Sequence, residues 1–355
     1  MTSSDEDGAA AAAAAADQLG SMSLGEKSVE RKGESNEDAE ENNEAPAKLC
    51  SACATKSDTL MKCTACKCVW YCNKECQNKH WKEHKKQCKL IKKELGKRGG
   101  KLDVGTELDA GPLGELPPRE ECSICMQVLP IHESLHTYFP CCGKIICCGC
   151  DYQHSMKSGK GRTCAFCREP LPKSDDENLA RLSKRVELKD PVALSNMALV
   201  HGFGEFGLPV DQARCIELLR ESSDLGSASA QYQLGVFYCA GEMGLEQNEE
   251  EAIKYTEKAA EGGYLLARYN LGAAEHNKGN RAGAMRHLRL SAAGGLKESI
   301  HDLIEYFEDG LLHHEDLAET MQTFYRVRGE LKSEERDQHI AYLKRTGGYQ
   351  DDMVL

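Results

Sequence analysis

The sequence predicts a multidomain chain in which small zinc-stabilised units precede an all-α helical-repeat solenoid, with a disordered acidic N-terminus in front. Three observations carry this. Most of the 19 cysteines fall in two eight-ligand arrays, one from Cys50 to Cys88 that includes a histidine and one from Cys122 to Cys167. From Ala193 onward, small and apolar residues recur in register at intervals of 37 and 32 residues. An aromatic content of 6% in 355 residues is low for one large mixed core, so several small units fit better.

Residues 1–47 are acidic, alanine-rich and poor in aromatics, which predicts a solvated tail with no core to bury. The start, with Asp5, Glu6 and Asp7, lacks the charged-then-apolar pattern of a secretory signal. No stretch approaches the length of a membrane span. The expected compartment is therefore cytoplasmic or nuclear, where thiols stay reduced and paired C-x-x-C units read as metal sites instead of disulfides. A net charge of −12 argues against a general nucleic-acid-binding surface.

In the first array a C-x-x-C turn directs two thiolates to one tetrahedral metal, as in Cys50/Cys53 and Cys63/Cys66. Cys72, Cys76, His80, His84 and Cys88 then follow in four-residue steps, which keep neighbours on one helix face. Each step drifts by roughly 40°, so Cys72/Cys76 and His84/Cys88 face directions about 120° apart and one helix can serve two metals. The assignment is interleaved: Cys50, Cys53, Cys72 and Cys76 for one zinc, Cys63, Cys66, His84 and Cys88 for the other. His80 is left out because eight better-spaced ligands fill both sites, and Cys68 reads as a small packed residue.

The run VWYCNKECQNKHWKEHKKQC from Val69 to Cys88, with the cysteine pairs before it, resembles the MYND zinc finger. The resemblance implies a protein-interaction module over residues 48–90 that binds short proline-containing peptides. A Gln and a Trp of the family's groove match Gln77 and Trp81; the competing reading packs Trp81 into the finger's own core. The basic run from Lys79 to Lys101 reads as the wet face of a helix, with a nuclear-import or nucleic-acid patch as the alternative. Residues 91–118, with glycine and proline between Gly99 and Pro118, read as a linker.

The second array pairs Cys122 with Cys125, Cys141 with Cys142, Cys147 with Cys150 and Cys164 with Cys167. Its order resembles the RING finger, over residues 119–174. The resemblance implies that the first and third pairs hold one zinc and the second and fourth the other. The family's histidine falls on Lys144, whose ammonium cannot ligate zinc. Either Cys141 joins Cys142 in an all-cysteine variant, the preferred reading, or His154 supplies the ligand. Cys148 is a surplus thiol, packed or free.

RING fingers generally recruit a ubiquitin-conjugating enzyme and hold its thioester for attack. An apolar residue between the first two cysteines is met by Ile124 and a basic residue after the last by Arg168. A proline usual after the seventh ligand is Ala165 here, with Pro170 and Pro172 nearby. Catalysis of this kind is positional and needs no protein nucleophile. Domains this small need staples, so both fingers are expected to depend on their zinc, four ions in all.

Beyond Lys173, Ala230, Leu234, Gly235 and Tyr238 return as Ala267, Leu271, Gly272 and Glu275, then as Ser299, Leu303, Ile304 and Phe307, with Ala193, Met197, Ala198 and His201 upstream. Cys215, Ser222, Ser223 and Gly226 recur as Ala252, Ala259, Ala260 and Gly263, then as Ala284, Ser291, Ala292 and Gly295. Small residues at fixed places let paired helices approach, and a period in this range signals a stacked solenoid. The pattern resembles the Sel-one-like repeat, with three recognisable repeats and a degenerate fourth from Leu296 that caps the stack. The solenoid is assigned to 175–330 and a C-terminal tail to 331–355. His276, His313 and His314, lacking a second ligand at metal spacing, are expected to be solvated.

These modules recognise proteins and peptides. Two functions fit: a scaffold with ubiquitin-ligase activity, in which the MYND finger and repeats select the target, and a non-catalytic adaptor or transcriptional co-regulator. All four zinc sites look coordinatively closed, which argues against a catalytic zinc.

Overall fold

The computed structural model describes residues 49–57, 59–99, 113–158 and 163–349. The acidic tail expected over 1–47 lies outside them, as does part of the expected linker. Two hairpins and twelve α-helices are found among the described residues.

The first unit is a minimal hairpin, β1 (Met61–Lys62) against β2 (Trp70–Tyr71), followed by α1 (Lys74–Lys97). Asn73 caps α1 by accepting a bond from the Cys76 amide at 2.9 Å. Helix α1 continues past residue 90, so the start of the stretch read as a linker is helical as far as Lys97. Its lysines from Lys79 to Lys97 are exposed, but Ile91 and Leu95 sit at helical spacing among them and are buried.

The second unit carries a short 3-10 turn (Glu133–Leu135), then β3 (His136–Phe139) paired antiparallel with β4 (Lys144–Cys147), then α2 (Cys148–Ser158). The solenoid begins with α3 (Asp175–Glu187). Four helix pairs follow: α4 (Pro191–Phe203) with α5 (Gln212–Asp224), α6 (Ala228–Ala240) with α7 (Glu249–Glu261), α8 (Leu265–Asn277) with α9 (Arg281–Ala293), and α10 (Lys297–Glu308) with α11 (His314–Glu330). Polar caps repeat with the period: Asp190 and Ser227 start the first helices of two pairs, while Asp211, Asn248 and Asn280 start the second helices of three.

The recurring glycine of the first helices marks the tightest approach. A Cβ on Gly235 in α6 would stand 2.6 Å from Thr256 Oγ1 and 3.2 Å from the Ala252 carbonyl of α7. Gly235→Val should therefore overpack the second repeat at a cost of about 1–3 kcal/mol. The check is the urea midpoint of the zinc-loaded chain; an unchanged midpoint would show that the helices have room to separate.

The expected C-terminal tail contains a further helix, α12 (Glu334–Thr346), which corrects that assignment. Ser333 caps its start, Gly347 closes it at φ +81°, and Ile340 and Leu343 pack against buried Leu135 and Cys148 of the second finger. Apolar burial on both sides explains why the segment folds back.

The modules are packed together. One continuous core joins Cys68, Val69, Tyr71, Ile91 and Leu95 of the first finger to Leu303, Phe307, Met321 and Tyr325 of the last repeat. The second finger meets the front of the solenoid, where Tyr138 donates to Asp190 at 2.8 Å and Arg185 donates to the Pro140 carbonyl at 3.2 Å. Within the stack, buried Arg289 of α9 donates to Glu319 at 2.8 Å and to Thr320 at 3.2 Å, tying α9 to α11.

Candidate metal centres

Among the described residues four quartets of metal-ligating atoms are gathered, each with its atoms within 4.8 Å of one another: Cys50, Cys53, Cys72, Cys76; Cys63, Cys66, His84, Cys88; Cys122, Cys125, Cys147, Cys150; and Cys141, Cys142, Cys164, Cys167. Local backbone makes this happen. Ala54, Lys67, Met126 and Arg168, each directly after a C-x-x-C, adopt positive φ between 55° and 68°. In each case that residue's amide donates back to the carbonyl of the first cysteine, at 2.8 to 3.1 Å, so the same tight knuckle presents two thiols four times. Of the remaining partners, Cys76, His84 and Cys88 stand on helix α1, Cys72 lies between β2 and that helix, Cys141 and Cys142 sit in the hairpin loop before β4, Cys147 ends β4 and Cys150 lies in the first turn of α2.

The donor set fits zinc. All 19 cysteines are free thiols. Sulfur separations are 3.6 Å for Cys53/Cys72, 3.8 Å for Cys63/Cys88, 3.8 Å for Cys125/Cys147, 3.8 Å for Cys142/Cys164 and 3.4 Å for Cys141/Cys167. A tetrahedron with Zn–S bonds of about 2.3 Å has edges of roughly 3.8 Å. The thiols also need a cation. A hydrogen bond from Cys147 pulls the Cys122 thiol down to about 4, while burial, then the charges of Cys122 and Cys125, push Cys150 up to about 12. Once one thiolate forms, the next is resisted; Zn2+ supplies the positive charge that lets all four ionise. Backbone amides assist, since the Ile124 and Cys147 amides donate to Cys122 Sγ at 3.5 and 3.3 Å.

The second quartet is the most enclosed, with Cys63, Cys66, His84 and Cys88 all buried. His84 Nε2 lies 3.2 Å from Cys66 Sγ and faces the metal position, while its Nδ1 lies 3.4 Å from the hydroxyl of Tyr325 on α11. Tyr325 in turn donates to Gln87 Oε1 at 3.1 Å. That chain fixes the tautomer: Nδ1 carries the proton toward Tyr325 and Nε2 is left free to ligate. Tyr325 was not among the residues singled out from sequence, because nothing local marks a tyrosine 241 residues from its histidine.

Other readings resolve as follows. His80 is buried beside Tyr71, its Nδ1 3.0 Å from the hydroxyl, and takes no part in a quartet. Cys68 is fully buried and packs as expected. His314, expected to be solvated, is only 1% exposed. Its Nε2 lies 2.8 Å from the Cys66 carbonyl and 3.2 Å from Cys68 Sγ, because α11 closes over the first finger. His276 keeps an exposed position with its ring bonded to Tyr306, and His313 is half-buried. Cys141 stands in the fourth quartet; His154 is turned away, its Nε2 held at 3.0 Å from the Thr163 carbonyl. Cys148 is buried under α12. Of the proposed partner-binding residues, Trp81 is 38% exposed, Gln77 is half-buried beside it on α1, Ile124 is 42% exposed and Arg168 is exposed.

Comparison with known proteins covers the first finger and two of the repeats. A MYND finger family matches residues 50–88, and a Sel1 repeat family matches residues 191–227 and 228–264. Histone-lysine N-methyltransferase ASHR1 of Arabidopsis thaliana is 42% identical over 50 residues, 14% of this chain. SET domain-containing protein 14 of Caenorhabditis elegans is 49% identical over 43 residues, 12% of this chain. The matched segments span 10% of each of those relatives and concern the MYND finger alone. Among solved structures, a Sel1 repeat protein from Oxalobacter formigenes aligns at 26% identity over 36% of this chain and 98% of its own, with a TM-score of 0.33. The chain is thus a zinc-binding protein-interaction scaffold built from zinc fingers and a helical repeat solenoid. No helix among the described residues is long and apolar enough to cross a membrane.

Proposed function

We propose that the scaffold is a RING-type ubiquitin ligase of the cytoplasm or nucleus, in which the second finger recruits a ubiquitin-conjugating enzyme and the MYND finger and repeats choose the target. The observation that carries the reading is the uncovered apolar surface of the second finger's zinc loops. Ile124, Met126 and Phe166 are 42%, 66% and 45% exposed on loops that the zinc quartets hold rigid, while other faces of the same finger are buried against the solenoid and α12. Large apolar side chains left exposed on a rigid element mark a docking surface. Phe166, beside buried Ala165, supplies apolar area where the family's proline is missing.

Arg168 stands on the knuckle of the last pair, its Nη1 3.4 Å from His154 Nδ1. A guanidinium there can bond carbonyls of two partners at once and hold the thioester in an attack-ready conformer. On the first finger, Trp81 and Gln77 leave a face of α1 open to a proline-containing peptide while Ile91 and Leu95 are seated in the solenoid.

Autoubiquitination of the zinc-loaded chain with a panel of conjugating enzymes is the test. Activity is expected, and Ile124→Ala or Arg168→Ala should each lower it about tenfold or more, roughly 1.4 kcal/mol of transition-state stabilisation, with four zincs retained. A fully zinc-loaded chain that transfers no ubiquitin with any conjugating enzyme would leave the non-catalytic adaptor as the function.

A further inference from the structure

The C-terminal helix α12 brings a buried cation to a zinc centre. Arg336, in its first turn, has no exposed surface. Its Nη1 donates to the Leu331 carbonyl at 2.8 Å, but Nε and Nη2 have no hydrogen-bond partner among the described residues. No carboxylate forms an ion pair with it there; Glu335, next in the chain, is exposed and hydrogen-bonded to Ser333. A guanidinium taken out of water without a counter-charge is strongly destabilising, so the charge that balances it has to come from what it faces. It faces sulfur: burial acts against its charge, and the thiols of Cys147, Cys125 and Cys148 on the adjoining finger act for it.

A second observation is independent of charge. A Cβ on Gly149, between Cys148 and Cys150, would meet the Arg336 amide nitrogen at 2.8 Å and its Cγ at 2.9 Å. The start of α12 therefore sits directly on the turn that carries two ligands of the third quartet. Only a residue without a side chain lets it come so near.

We propose that Arg336 is a positioning and charge-compensating residue of the zinc centre formed by Cys122, Cys125, Cys147 and Cys150, which makes α12 an integral part of that centre. Four thiolates outweigh the two positive charges of the zinc by two, and in a buried site that excess favours proton attack on a ligand and loss of the metal. The guanidinium offsets one of the two charges and can donate to the Cys147 thiolate, holding its lone pairs away from protons. The proposal needs only the zinc reading of the quartet and stands whether or not the finger supports ubiquitin transfer.

The experiment uses the full zinc-loaded chain and three variants, Arg336→Lys, Arg336→Gln and Arg336→Met. Zinc released to a chelator is followed with a metallochromic dye, and thiol alkylation is mapped by mass spectrometry. In the Gln and Met variants one zinc of the four should leave roughly 10- to 100-fold faster, with alkylation appearing first at Cys147 and Cys150. The other three zincs should keep their rates. Arg336→Lys, which keeps the charge, should stay close to the parent. Unchanged release in Gln and Met overturns the proposal, and so does a Lys variant as leaky as Gln, since Arg336 would then act by packing alone. Should Arg336→Gln lose all four zincs through misfolding, Arg336→Lys decides: parent-like retention upholds the role of charge, and loss overturns it.

Discussion

Removing zinc from the full chain is expected to unfold both fingers and to loosen the last repeat of the solenoid with them. Units of this size bury too little surface to stand alone, and structural zinc contributes on the order of 10–16 kcal/mol of apparent binding energy per site in small peptides. The reach into the solenoid follows from the shared core. Cys63, Cys66 and Cys88 lie in the same buried cluster as Leu303, Phe307 and Tyr325, and the last of these leans on the zinc ligand His84. Hydrogen exchange with and without a chelator is the measurement. Amides of α10 and α11 should lose protection along with those of α1, whereas α4 to α6 should hold theirs. Unchanged protection in α10 and α11 would show that the last repeat is stable without the finger.

Phe307→Ala is expected to be the most damaging substitution in the solenoid, at about 3–5 kcal/mol. The ring is fully buried, Arg98 of the first finger stands over it at 4.4 Å, and its own carbonyl accepts from the same guanidinium. Truncation therefore opens a cavity at the joint between two modules. A lowered urea midpoint, together with earlier zinc release from the Cys63 quartet, would report both effects. Phe203→Ala, at a 39% exposed position in α4, serves as the control and should cost much less.

Much of the fold could be read from regularities along the chain. The repeat register falls on α4 to α11 because close helix packing requires small residues at positions such as Gly235 and Gly272. The quartets of the first finger followed from turn and helix spacing, which are local, whereas the crossed pairing in the second finger was implied by its resemblance to the RING finger. Adjacent Cys141 and Cys142 against His154 was harder. The outcome depends on where the β3–β4 loop and the Cys164–Cys167 turn come together, and spacing alone does not say. Helix α12 did carry its signals, with Ser333 as a cap, Glu334 and Glu335 in the first turn, Lys344 and Arg345 in the last, and Gly347 beyond. It lacks the repeat's small-residue pattern, so it read as a tail.

Contacts between modules were not legible at all. Nothing in the lysine-rich run marks Ile91 and Leu95 as the residues that pack with Phe307 and its neighbours. His314 has no partner nearby in sequence; Cys66 and Cys68 are its partners in space.

The seating of the first finger on the last repeat also sets an order of events during synthesis. His84 leaves the ribosome 241 residues before Tyr325. At about 5–20 residues per second the interval is roughly 12 to 48 s. Throughout it the apolar edge formed by Val69, Tyr71, Ile91 and Leu95 lacks the surface that finally covers it. Zinc can fold the finger early, but that edge stays bare until the last repeat has been made, so the nascent chain carries exposed apolar surface for longer than its module sizes suggest.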